Sequence, residues 1–231
     1  MRTILCAFAV AWAAAVSAQD RPTLRSELPV VVTSGSATVR RAPDRAFVTM
    51  AVETRARNPR DAQKQNADAA AQVLQRLSEA RVGQEAVRTM GFNLEQEFDT
   101  GPTGRIPRDF VARNTIDVRV DEISRVGEII DVLVRGGATT VAGVRFEIQN
   151  RAAAEQEVLR LAVADARSRA DAAAAGAGLV VDRVLRIEDH RDGGIVLPRP
   201  MVMARAAEAT TPIEPGLIEI HANVTLTVSI K

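Results

Sequence analysis

The chain has no tyrosine, one cysteine, one tryptophan and two histidines. Cys6 and Trp12 both fall within the first 18 residues. From residue 19 onward there is therefore no thiol, and disulfides, thiol catalysis, cysteine-rich zinc sites and iron–sulfur ligation are excluded together. Charge of one sign is also missing. The whole chain carries 30 basic and 29 acidic side chains, and setting Arg2 aside leaves 29 of each. With no basic block and no aromatic-interleaved patch, the pattern does not point to nucleic acid. No apolar run after residue 18 is long and pure enough to cross a bilayer as a helix. Lysine is scarce, with 2 against 28 arginines, and alanine abundant. That bias reads as a GC-rich coding sequence rather than a function.

What is present begins with a leader. Met1-Arg2-Thr3 gives a short positive start, Ile4 to Val16 an uncharged apolar run, and Val16-Ser17-Ala18 the small residues a signal peptidase needs. The run is 13 residues, short of the roughly 20 a spanning helix requires. Residues 1–18 are thus expected to be a signal peptide cleaved after Ala18, giving an exported, periplasmic protein. Cys6 sits inside the apolar run, which argues against a lipid anchor. Residues 19–29 form a polar, proline-containing lead, and a single domain is expected over 30–231.

Within that domain, Val30 to Arg40 and Arg45 to Arg55 read as strands across the Ala42-Pro43-Asp44 turn, predicting a hairpin. Asn58-Pro59 opens a helix with Ala62, Ala69, Val73, Leu77 and Ala80 at helical spacing. Asn66 falls on that apolar face, where a buried amide pairing backbone groups is favoured over a ligand. Strands follow at Val87 to Phe98 and Asp109 to Val120. Asp121 is expected to cap a helix stopped by Gly136-Gly137, and Thr139 to Gln149 returns as a strand. A long helix spans Arg151 to Ala175. Its main face is Ala152, Leu159, Ala162, Val163, Ala166, Ala170 and Ala173, and a second patch is Ala154, Val158, Leu161 and Ala172. Two apolar faces predict either a sandwiched helix or one that meets another subunit. Leu179 to Glu188 and Leu217 to Ile230 are the last strands, the final one alternating from Ile218 to Ile230. The order β-β-α-β-β-α-β-α-β-β predicts an α+β fold with about three helices and largely antiparallel sheets.

Between the last two strands lies a long loop, 189–216, carrying Gly193-Gly194, four prolines and Met201-Val202-Met203. A loop of this length is usually functional or disordered, and its apolar residues need a surface to cover, on the same subunit or on another. Val158, Leu161, Met201, Val202 and Met203 are the candidate interface residues.

No catalytic set emerges. His190 stands in Glu188-Asp189-His190-Arg191-Asp192 and His221 alone on a polar strand face, neither at metal-template spacing. There is no G-x-S-x-G, no Walker motif and no G-x-G-x-x-G, and Ser34-Gly35-Ser36 has no obvious base. Glu95 and Glu97 share a strand face, a pairing expected by chance among 29 acidic residues. No cofactor is predicted.

Several local patterns in order resemble the SIMPL domain family. They are Gly35-Ser36-Ala37-Thr38-Val39 with Ala42-Pro43-Asp44-Arg45-Ala46; Ala62 and Asn66 ahead of Val73 and Leu77; Asn114-Thr115-Ile116-Asp117-Val118; Gly136-Gly137-Ala138 through Val144-Arg145-Phe146; Ala164-Asp165-Ala166-Arg167-Ser168-Arg169-Ala170; and Pro212-Ile213-Glu214-Pro215-Gly216. Ser36 stands where a second glycine is usual, and Phe110 near where a tyrosine is often seen. The resemblance implies an exported bacterial protein of the periplasmic or outer-membrane immunogenic type, with no established enzymatic activity or cofactor. It further implies links to envelope and oxidative stress, and homo-oligomers in some members. Asp165 and Arg167 would then be structural.

The leading expectation is a non-enzymatic, self-assembling envelope protein with a role in envelope or oxidative stress tolerance. The alternative is a periplasmic binding or chaperone-like module using residues 193–211 to contact a client. A metal-dependent enzyme around His190 ranks third.

Overall fold

A computed structural model describes residues 29–101, 104–190 and 213–231. The signal peptide, most of the lead, and Met201, Val202 and Met203 with nearly all of the long loop lie outside the described residues. The elements are β1 (Val30–Arg41), β2 (Arg45–Ala56), α1 (Pro59–Glu79), β3 (Val87–Gly101), β4 (Gly104–Val120), α2 (Val126–Arg135), β5 (Thr140–Glu147), α3 (Arg151–Gly176), β6 (Val181–His190) and β7 (Ile218–Ile230), with one-turn 3-10 segments before β3 and α2. The fold is α+β, and every strand pairing is antiparallel.

The strands form two sheets. β1-β7-β6 make a three-stranded sheet and β3-β4-β2-β5 a four-stranded one. The expected β1–β2 hairpin does not form. β1 pairs with β7 across all twelve of its residues, while β2 is flanked by β4 and β5. The bend at Ala42-Pro43-Asp44 instead carries the chain from one sheet to the other. Asp44 anchors it to the end of β5, donating its N–H to Glu147 O at 3.1 Å and accepting the Gln149 N–H at 2.6 Å.

Among the described residues each sheet carries helices on one face only. Over the larger sheet, Val48, Met50 and Val52 of β2 with Ile116 and Val118 of β4 pack against Val73 and Leu77 of α1 and Ile129 and Leu133 of α2. Burying each such side chain contributes about 1.5–3 kcal/mol. Asn58 caps α1 as expected, accepting the Asp61 N–H at 2.9 Å. Buried Asn66 donates from Nδ2 to Val52 O at 2.8 Å and Ala112 O at 2.9 Å, so the amide fixes the helix against both central strands. Asp121 does not cap α2. It is held by Arg45 at 2.6 Å and Arg119 at 3.1 Å, and the chain makes its 3-10 turn before α2 begins.

Over the smaller sheet lies α3. Its buried stripe is Ala154, Val158, Ala162, Ala166, Ala170 and Ala174, four residues apart throughout, and so draws from both faces expected of it. Opposite stand Ile220, Val224, Leu226 and Val228 of β7, the core-facing set its alternation predicts. Gly35 on β1 lets the helix come close: a Cβ there would lie 2.3 Å from both Ala162 O and Ala166 N. Thr33 Oγ1 donates to Ala166 O at 2.8 Å across the same seam.

Candidate functional site

Two surfaces gather the side chains that chemistry could use. The first is the open face of the larger sheet. Antiparallel register sets Glu53 of β2 opposite Arg113 of β4, and Arg113 opposite Asn93 of β3. Glu53, Arg55, Asn93, Glu95, Glu97, Val111 and Arg113 line a cavity of about 140 Å³. The structure thus brings Glu97 to Arg55, with Glu95 lining the same cavity. Arg113 donates from Nε to Glu53 at 3.0 Å, Arg55 lies 2.6 Å from Glu53, and Arg55 reaches Glu97 at 3.4 Å. Hydrogen bonding from Arg113 holds the Glu53 carboxyl below the usual carboxylate range, against the opposing pull of burial. Farther along the same face, buried Asp117 accepts from Thr49 Oγ1 and meets Arg145 at 3.5 Å. Glu53, Glu97 and Asp117 each meet a guanidinium group, and the Glu53–Arg113 and Asp117–Arg145 pairs tie strands of the sheet together.

The second surface belongs to the smaller sheet. His190 and His221 lie on its open face as separate features. His190 Nε2 is 2.8 Å from Thr225 Oγ1, and His221 Nδ1 is 2.8 Å from Thr38 Oγ1. Among the described residues no three histidine, aspartate or glutamate side chains converge as a metal site would require. Ser34 and Ser36 flank the helix seam. Asp165 accepts the Ser36 N–H at 3.0 Å, which, with Arg169, lowers its pKa.

Of the candidate interface residues, Val158 is corrected: at 1% exposure it belongs to the chain's own core with Val39, Ala154 and Ile220. The i+4 stripe that Gly35 selects turns Val158 inward and Leu161 outward, the latter 48% exposed. What sequence reasoning missed is the exposed apolar surface of β6, a strand expected at Leu179 to Glu188. Val180 just before it and Val184, Leu185 and Ile187 along it are exposed. The available signal was a strand rich in apolar residues without strict alternation.

Among the described residues no helix is long and apolar enough to cross a membrane. In comparison with known proteins, the chain is 25% identical over 215 residues to the 26 kDa periplasmic immunogenic protein of Brucella melitensis, covering 87% of this chain and 84% of that protein. It is 22% identical over 181 residues to the uncharacterized protein YggE of Escherichia coli K12, covering 78% and 73%. The model of the SIMPL family, described as a protein of unknown function (DUF541), matches residues 31–228, which takes in both sheets and all three helices. The chain belongs to the SIMPL family.

Proposed function

We propose that this is an exported, non-enzymatic envelope protein that self-assembles and serves in envelope or oxidative stress tolerance. The observation carrying the reading is the run of exposed apolar side chains at Leu161, Val180, Val184, Leu185 and Ile187, on a helix flank and an edge strand of one sheet. Exposed apolar side chains gathered on one strand mark association sites when a partner covers them. The guanidinium-compensated carboxylates of the larger sheet support a structural rather than a catalytic role for the charged face. A periplasmic relative and a leader with a small-residue cleavage box support export. Any redox role would proceed without a thiol once residues 1–18 are removed.

Expression of the full chain with its leader, followed by fractionation and intact-mass analysis, tests the reading. The expected product is an envelope-fraction protein beginning at Gln19, and loss of the gene is expected to sensitise cells to envelope or oxidative stress. A full-length cytoplasmic product beginning at Met1 would overturn export. Unchanged survival under both stresses would overturn the stress role.

A further inference from the structure

The smaller sheet ends on two unlike edges. β1 is met by α3, which rests against Gly35 and whose Asp165 takes the Ser36 N–H. β6 is open. Among the described residues it pairs with β7 alone, and α3 lies over β1 and β7 rather than over it. A ten-residue edge strand offers unpaired N–H and C=O groups to any second strand. Monomeric proteins blunt such edges with lysine or other charges, proline and bulges; β6 has no lysine or proline, and its charges, Asp182, Arg183, Arg186, Glu188 and Asp189, are of both signs. Its register shifts, at Val181/Arg183 and Val184/Arg186, bend the edge and also change which residues share a face.

The second shift puts residues of opposite parity on one face. Arg183 stands opposite Ser229 and Glu188 opposite Thr225, both on the open face; Val184 stands opposite Val228 and Ile187 opposite Leu226, both on the helix side. We propose that β6 pairs antiparallel with β6 of a second copy, about a two-fold axis between Leu185 and Arg186. This rests on the self-assembly reading and names its surface. In that register Val184 of one copy meets Ile187 of the other, and Arg183 meets Glu188. Symmetry makes each contact twice. Val184 and Ile187, 42% and 52% exposed in the single chain, become covered. Within one chain Glu188 uses Oε1 for Arg186 at 2.6 Å, which leaves Oε2 toward the incoming Arg183. Asp189 stands opposite Val224 on the helix side, whereas Asp182 meets Ser229 Oγ on the open face and the Lys231 ammonium at 2.7 Å, so the two aspartates do not share a face. This charge complementarity of the strand with itself argues for a second copy over an unrelated strand.

The thiol-free exported chain makes the test direct. Val184→Cys and Ile187→Cys chains, prepared separately, mixed and oxidised, are expected to give a mixed disulfide dimer in far higher yield than either alone. Arg183→Glu and Glu188→Arg are each expected to weaken association roughly tenfold, and the double exchange to restore it. Folding of each variant is followed by circular dichroism. Association insensitive to both reversals, with no mixed disulfide, would overturn the β6 contact and leave self-assembly standing. A chain monomeric at every concentration would overturn both.

Discussion

Replacing Gly35 by alanine is expected to destabilise the protein by about 2–3 kcal/mol, and by valine more, although both residues suit a strand better than glycine does. The reason is the seam with α3. The added Cβ would sit 2.3 Å from Ala162 O and Ala166 N, and these are backbone atoms that no rotamer change can move. The helix must lift, and with it the packing of Ala162, Ala166 and Ala170 on Val224, Leu226 and Val228. Gly91 supplies the control. Nothing lies within 4 Å of its notional Cβ, so Gly91→Ala is expected to stay within about 0.5 kcal/mol of the parent. Urea unfolding of the three variants checks this. A Gly35→Ala protein as stable as the parent would show that α3 does not approach β1 so closely.

Asn66→Leu is expected to cost about 2–4 kcal/mol, although it puts a hydrophobic side chain of similar size into a hydrophobic layer. The loss is of donors: Val52 O and Ala112 O would be left buried without the Asn66 amide, at roughly 1–3 kcal/mol each. For a domain of this size that lowers Tm by roughly 5–15 °C. Thermal unfolding gives the answer, and an unchanged or raised Tm would mean that water or another donor serves those carbonyls.

Asn66 was legible in the sequence because α1 states its period clearly and one amide interrupts it. β7 was legible for a similar reason, its alternation running unbroken from Ile218 to Ile230. The partner of β1 was not. Alternation tells a strand which face it buries, not which strand lies beside it, and Asp44 is tied to Gln149, 105 residues away in sequence. The inward stripe of α3 was hidden by composition: with alanine at 152–154 and 172–175, several faces look equally apolar until Gly35 selects one. The open edge of β6 depends on how far α3 reaches across the sheet, which no local pattern records. By contrast, the pairing of Glu53 with Arg113 follows from antiparallel register once β2 and β4 are known to be neighbours, and that with Arg55 from their two-residue spacing on β2.

Self-assembly is the central claim, and the solution mass of the exported chain, measured by light scattering over a wide concentration range, tests it most directly. A mass that is a fixed multiple of the single chain, held on dilution, is the predicted result. A single-chain mass at every concentration would contradict the account, leaving the apolar residues of β6 and Leu161 without the second copy proposed to cover them.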